Sequence, residues 1–298
     1  MPRNGYQLDL FNGALAKSAA NVASIVQRRP FRYPGGKTWL VPRIQQWLLS
    51  LKKRPSLFIE PFAGGAIVGL TVAFERLADH VILVEIDRQV AAVWRTILDG
   101  DGEWLISKIL SFDLTPETLR EELAKSSPDV RERAFRAILK NRTFYGGIIA
   151  EGSGPLKRGE RGRGVASRWY PKTLVRRIRD IQGIKDRISF VEGDGLTVIE
   201  SHVNRRSAAF FIDPPYTAAG KRAGRRLYAH HEIDHAKLFE TIAKAQGDFL
   251  MTYDTPDKVA ELAARHGFQT QSIAMKNAHH ARTKEFSIGR DLSCFNLS

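Results

Sequence analysis

The sequence predicts an α/β fold in which a mostly parallel sheet carries helices on both faces and is interrupted by an inserted, mainly helical domain. Short β-rich runs alternate with segments of helical length and pattern, as parallel strands joined by crossovers require. Four strand ends bear an acid, Glu60, Glu85, Asp194 and Asp213, and an open α/β sheet gathers such ends along one ligand-binding edge. The alternation stops between about residues 97 and 182, where helical patterns are separated by Gly-rich loops.

Taken in order, strands are expected over 57–60, 81–85, 188–192, 208–213 and 248–253, from their apolar and β-branched content. Helices are expected over 38–52, 66–76, 88–98, 234–245 and 256–266, the last opening on Pro256, which suits a first helical turn. Within the interruption, helices are expected over 116–125, 129–140 and 173–181. Residues 152–164 are Gly-rich and basic with only Leu156 to pack, so they should order against a polyanion. The expected organisation is a loosely attached tail over 1–28, a sheet domain built from 29–96 and 183–298, and an insertion over 97–182.

At 298 residues and 43% hydrophobic, the chain can bury a full-sized core. Its longest apolar runs fall far short of the roughly 20 residues that span a bilayer, and the N-terminus lacks a signal-peptide core, so a cytoplasmic protein with no membrane partner is expected. The single cysteine, Cys294, excludes an internal disulfide framework and an all-cysteine zinc site. Histidines 230, 231, 235, 279 and 280 fall in two groups without cysteines or ligand spacing, and no metal is expected. The formal charge of +14 favours a polyanionic partner through counterion release. Residues 131–179 hold 14 Lys and Arg against 3 Asp and Glu, a net +11 that reads as a nucleic-acid footprint inside the insertion. Lys221, Arg222, Arg225 and Arg226 form a second basic cluster.

Two motifs carry chemistry. Asp213-Pro-Pro-Tyr216 follows the apolar run 208–212. Pro214 and Pro215 fix the chain and leave carbonyls without competing donors, making a rigid turn rich in acceptors. The exocyclic amine of a nucleobase is a poor nucleophile; a carboxylate and a prolyl carbonyl accepting its two hydrogens would orient it toward an electrophile. Tyr216 could stack on such a base once it leaves a duplex. The second motif, Glu60-Pro-Phe-Ala-Gly-Gly65, sits at a strand-to-helix turn where glycine permits positive φ and close approach of a ligand. Glu85 ends the next strand, about twenty residues beyond the glycines, where an acid can grip both hydroxyls of a ribose. No phosphate-binding glycine fingerprint accompanies it, which suits a nucleoside cofactor better than a dinucleotide.

These motifs together resemble the Dam-type adenine-specific (N6) DNA methyltransferases, in which cofactor motif, target-recognition domain and Asp-Pro-Pro-Tyr turn follow in this order. The resemblance covers about residues 31–290. It implies a Rossmann-like S-adenosylmethionine-dependent methyltransferase sheet with an inserted target-recognition domain. It also implies site-specific methyl transfer to N6 of adenine in double-stranded DNA by base flipping, with S-adenosylhomocysteine as product. Asp213, Pro214, Pro215 and Tyr216 are then the catalytic turn. Tyr33 and Lys37 of Tyr33-Pro-Gly-Gly-Lys37, with Glu60, Pro61, Phe62, Gly64, Glu85, Asp194 and Asp213, are then the cofactor contacts, Glu85 standing where many relatives carry Asp.

On the nucleic-acid side the resemblance points to Arg32, to Arg142 and Tyr145 of Asn141-Arg-Thr-Phe-Tyr145, and to Arg161, Arg163 and Arg168. Base readout and phosphate binding are both open for these arginines. Tyr145 and Trp169 either fill the gap left by a flipped base or pack in the core. Double-stranded DNA is the expected partner, a cognate restriction endonuclease a further candidate, and action as a monomer on the nucleoid the expected state. Three alternatives stand beside this reading: an RNA adenine methyltransferase, a DNA cytosine-N4 methyltransferase, whose turn commonly begins with Ser, and a catalytically inactive DNA-binding protein.

Overall fold

The computed structural model describes residues 25–33, 36–150, 152–159, 162–215, 233–253, 257–276 and 282–295. Its strands are β1 Leu57–Glu60, β2 His80–Glu85, β3 Ile188–Glu192, β4 Ala208–Ile212, β5 Asp248–Tyr253, β6 Gln269–Lys276 and β7 Arg282–Gly289. They form one sheet in the order β3-β2-β1-β4-β5-β7-β6. The first five are parallel neighbours, and β7 enters antiparallel between β5 and β6. The sheet therefore differs from the sequence expectation by an antiparallel hairpin, β6–β7, that the reading of short apolar runs does not reveal.

Alternate residues of the central strands face opposite layers, as the two-residue period of a strand demands. Phe58, Ala209, Phe211 and Leu250 pack into one buried cluster, whereas Ile59, Phe210, Ile212 and Met251 pack into the other. Both faces are thus covered, which explains why β1 and β4 are apolar at nearly every position.

The first face carries α1 Val41–Ser50, α2 Ile67–Glu75 and α3 Arg88–Leu98. Residues 97–182, the expected insertion, hold α4 Gly102–Ser111, α5 Pro116–Ala124, α6 Val130–Thr143 and α7 Pro171–Gln182. Leu105, Ile109, Phe135, Ile138, Leu174 and Ile178 from these helices join the same cluster as Trp94 of α3, so the helical layer is continuous with the core on that side. The other face carries α8 Gly195–His202, α9 His235–Ala243 and α10 Asp257–Arg265. Helices α4 and α8 were not expected from the sequence, and Pro256 lies outside the described residues.

Helix starts follow local capping chemistry. Asp87 accepts from Gln89 N (2.7 Å) and Val90 N (3.2 Å) at the start of α3, and Asp194 accepts from Leu196 N (3.2 Å) at the start of α8. Among the described residues no helix is long and apolar enough to cross a membrane.

Candidate active site

The carboxyl ends of β3, β2, β1 and β4 stand side by side, which brings Asp194, Glu85, Glu60 and Asp213 to one edge of the sheet. At β1 the chain turns through Gly64, whose φ of +48° lies in the left-handed region that favours glycine. A Cβ there would also lie 2.5 Å from the Tyr33 ring, so the ring packs directly on the bare backbone. Ala66 follows with a left-handed φ of +49°, which is strained for a residue with a side chain.

Three groups hold that turn. Gly64 N donates to Glu85 Oε2 (3.0 Å), Trp94 Nε1 donates to the Gly64 carbonyl (2.8 Å), and Ala63 N donates to the Val84 carbonyl (2.9 Å). Glu85 Oε1 accepts from Asp87 N (2.9 Å), so each carboxylate oxygen already meets one main-chain donor and keeps acceptor capacity for a second. Burial pushes the Glu85 carboxyl up to about 7, against the opposing pull of the main-chain donors at Asp87 and Gly64.

Glu60 plays a different part. It is buried, its Oε2 accepts from Gly69 N inside the first turns of α2 (2.7 Å), and it locks strand to helix. Burial raises its carboxyl well above the ordinary range despite the Gly69 bond, and the nearby Asp213 charge adds to the rise. Pro61 is buried with its carbonyl against Gly195, where any Cβ would collide with it, and Phe62 packs at the same contact. Asp194 spends part of its side chain capping α8, also accepting from Thr197 Oγ1 (3.2 Å).

Asp213 directly follows the last residue of β4, Ile212, and is itself followed by buried Pro214 and half-buried Pro215. Asp213 Oδ1 lies 2.8 Å from Lys37 Nζ and accepts from Thr252 Oγ1 of β5 at 2.9 Å. Lys37 Nζ also lies 3.0 Å from Glu285 Oε1 of β7. The lysine is only 4% exposed. Burial acts against its charge, but Asp213 and Glu285 outweigh that penalty and hold the ammonium above its ordinary value. Tyr216 lies outside the described residues.

Thr252, Glu285 and Trp94 were not expected as site residues. Only Thr252 falls in an expected strand and Trp94 in an expected helix, and none of the three sits in a motif; their partners lie elsewhere along the chain.

The arginines expected to meet DNA are placed in different environments. Arg32 is exposed, while Asn141 grips its main chain, accepting from Arg32 N (2.9 Å) and donating to Arg32 O (2.5 Å) and Gly147 O (2.8 Å). Arg142 is 7% exposed and donates to the Pro30 carbonyl (2.9 Å). Arg163 is exposed, and its Nη2 reaches the Ser167 carbonyl (3.5 Å) and Tyr170 Oη (3.4 Å). Tyr145 is exposed and lines, with Arg168, Lys157 and Arg158, a cleft of about 950 Å³. Trp169 packs edge-on against Phe112 in the core, centroids 6.3 Å apart. Arg161 lies outside the described residues, as do His230, His231, His279 and His280. Among the described residues no group of three or more His, Cys, Asp and Glu is placed to hold a metal ion.

A mixed sheet with this strand order, a glycine turn after β1 and an acid closing β2 defines the Rossmann-like fold of S-adenosylmethionine-dependent methyltransferases. The family model for D12 class N6 adenine-specific DNA methyltransferases matches residues 33–280, and the chain belongs to that family. It is accordingly an S-adenosylmethionine-dependent enzyme of the adenine-specific DNA methyltransferase class. A search of curated proteins by sequence found no match. Among solved structures the chain is similar to the rRNA methyltransferase aviRa from Streptomyces viridochromogenes, with 14% identity over 91% of this chain and 93% of that one and a TM-score of 0.41. It is also similar to a precorrin-6y C5,15-methyltransferase from Geobacter metallireducens, with 9% identity over 87% and 91% and a TM-score of 0.37. Both likenesses are remote.

Proposed function

We propose that the protein transfers a methyl group to N6 of an adenine extruded from duplex DNA, at a sequence selected by residues 97–182. The observation that carries this reading is the Asp213 carboxylate, fixed by Lys37 and Thr252 where β4 ends, on the same sheet edge as the Tyr33–Gly64 contact and Glu85. The residues fit a nucleoside cofactor: the turn at Gly64 has no room for a Cβ, and Glu85 retains acceptor capacity for ribose hydroxyls. Tyr33, Gly64 and Glu85 would hold S-adenosylmethionine, with Phe62 and Asp194 at the neighbouring turn. When bound, it supplies a methyl group on a positively charged sulfur.

In this reading Asp213 and the Pro214 carbonyl accept the two amine hydrogens, aim the nitrogen, and stabilise the positive charge that grows on it. Tyr216 stacks on the base and repays part of the few kcal/mol of unstacking. Tyr145 and the basic cleft around Arg168 contact the duplex. The enzyme acts as a monomer on nucleoid DNA in the cytoplasm, and a cognate restriction endonuclease is a partner to be sought beside it.

The test is expression in a host free of DNA methylation, followed by sequencing that reads modified bases. N6-methyladenine in one sequence context is expected, lost in Asp213→Ala while DNA binding is retained. Methyl groups on cytosine N4 or only on RNA, or substantial transfer by Asp213→Ala, would overturn the assignment. Replacing residues 97–182 with those of a relative should change the methylated sequence.

A further inference from the structure

Four arginines crowd around the segment that leads into Tyr33. Arg29 and Arg32 belong to it, Arg142 reaches it from the end of α6, and Arg177 reaches it from α7. Two of them are tied to its main chain: Arg142 Nη2 donates to the Pro30 carbonyl (2.9 Å), and Arg177 Nη1 donates to the Arg29 carbonyl (3.2 Å). The Arg29 side chain runs along the glycines of the site. Its Cδ lies 3.6 Å from where a Cβ on Gly65 would stand, and its Nη1 occupies the space that a Cβ on Gly36 would need.

Among the described residues no carboxylate forms an ion pair with any of the four. Arg142 is 93% buried on its 7% exposure, yet its Nε has no hydrogen-bond partner, and the buried Nε of Arg177 has none either. Burial, followed by repulsion from the other members, pushes Arg29 and Arg142 down to about 10; burial, then repulsion from Arg176 and Arg32, lowers Arg177 as well. Elsewhere in the helical layer the rule is different: Arg131 pairs with Asp129, and Arg136 lies near Glu122 and Glu132.

A guanidinium does not lose its proton near neutral pH, so the cluster cannot relieve itself by titration. Unpaired buried charge costs several kcal/mol and is kept in proteins where a ligand or partner neutralises it. We propose that Arg29, Arg32, Arg142 and Arg177 form a binding site for one oxyanion at the rim of the glycine-lined turn. The planar donor forks suit a carboxylate or a phosphate equally. Two sources fit: the carboxylate of the cofactor's amino-acid end, or a backbone phosphate of DNA beside the target base. Only the choice of source rests on the function proposed above; the anion site itself does not.

The first arm of the test uses the protein without DNA or cofactor, titrated with inorganic phosphate against chloride at matched ionic strength while thermal unfolding is followed. Phosphate should raise the melting temperature of the wild type, and Arg29→Gln and Arg32→Gln should weaken that response by about tenfold, the worth of one charge-assisted hydrogen bond. Arg29→Gln without phosphate should melt no lower than wild type, because the substitution relieves repulsion. A purely structural arginine would move this readout the other way. The second arm compares S-adenosylhomocysteine with 5′-methylthioadenosine, which lacks the carboxylate, and duplex DNA with a duplex carrying neutral methylphosphonates.

A loss in Arg29→Gln confined to S-adenosylhomocysteine assigns the cofactor carboxylate; a loss confined to unmodified duplex assigns a DNA phosphate. Both support the site. Equal phosphate responses in wild type and variants, or a lowered melting temperature in Arg29→Gln with unchanged anion binding, would overturn it. Phosphate binding at this cluster in a protein that methylates no DNA would uphold the site and remove the proposed function instead.

Discussion

Replacing Lys37 with Met probes the charge network on which the catalytic turn depends. The lysine Nζ stands 2.8 Å from Asp213 Oδ1 and 3.0 Å from Glu285 Oε1, in surroundings that leave it 4% exposed. At an effective dielectric of about 20, each contact is worth roughly 5–6 kcal/mol of gross attraction, most of it offset by desolvating three charges. Removing the cation leaves two carboxylates facing each other in a buried site, and the expected net loss of stability is about 3–5 kcal/mol at neutral pH.

The pH dependence has a definite sign. In the wild type the lysine is held above its ordinary value of 10.5, so its contribution is fully present below that pH and is lost only in stronger base. In Lys37→Met the deficit should be constant from about pH 6 to 9, where the wild-type ammonium stays charged. Urea unfolding of both proteins at the two ends of that range measures it. Lys37→Met combined with Glu285→Gln removes one of the facing charges and should recover at least half the loss, which guards against a single variant too unstable to study. A deficit below about 1 kcal/mol, the size of an exposed pair, would refute the reasoning.

Four further outcomes are expected. Glu85 sits at about 7 in the protein alone, and ribose hydroxyls would favour its ionised form, so binding of S-adenosylhomocysteine near pH 6.5 should release up to about one proton; calorimetry in two buffers of different ionisation enthalpy reads this, and Glu85→Gln should abolish it. The same raised carboxyl should make wild-type stability fall by roughly 3 kcal/mol between pH 4.5 and 7, a slope that Glu85→Gln flattens. Gly64→Ala forces a Cβ into the Tyr33 ring at a φ of +48° and should cost about 1–2 kcal/mol in urea unfolding, together with a loss of cofactor affinity; Tyr33→Ala in the same chain should relieve the steric part only. Asn141→Ala strips three hydrogen bonds from the main chain of Arg32 and Gly147 and should cost about 3 kcal/mol, a loss under 1 kcal/mol showing that the segment before Tyr33 is held by other contacts.

What could be read from the sequence was set by how local its causes are. Strands β1, β2 and β4 announce themselves because both faces of the sheet are covered and their residues are apolar in runs. The acids at Glu60, Glu85 and Asp213 follow, since topology alone carries strand ends to one edge. The hairpin β6–β7 is not legible because Gln269, Thr270, Gln271 and Ser272 are polar, and the pairing of β6 with β7, itself held on β5, overrides that local preference. Helix α4 is masked by Gly100 just before it and Gly102 at its first position, although its Leu105, Ile106 and Ile109 have helical spacing.

Glu285 shows the limit most clearly. A charged residue in a strand reads as solvent-facing, and only the three-dimensional arrival of Lys37, 248 positions earlier, makes it a buried ion-pair partner. Arg142 shows the opposite case, a residue of the basic stretch that the fold buries. In sequence it is one more basic residue in a basic stretch, but the end of α6 turns it onto the Pro30 carbonyl.

The acids along the sheet edge have been given different tasks by their surroundings, and this bears on the proposed reaction. An amine hydrogen needs an acceptor, and the Asp213 carboxylate supplies one. The ammonium of Lys37, 2.8 Å away, holds that carboxylate in place. Lys37 can serve that end only while it remains charged in a buried site, and Glu285 supplies the second carboxylate that keeps it so. Glu60, buried against Gly69 and held well above the ordinary carboxyl range, adds no competing charge at the same edge. Sorting neighbouring carboxyls by environment in this way lets one edge both hold a neutral structural acid and present a charged acceptor.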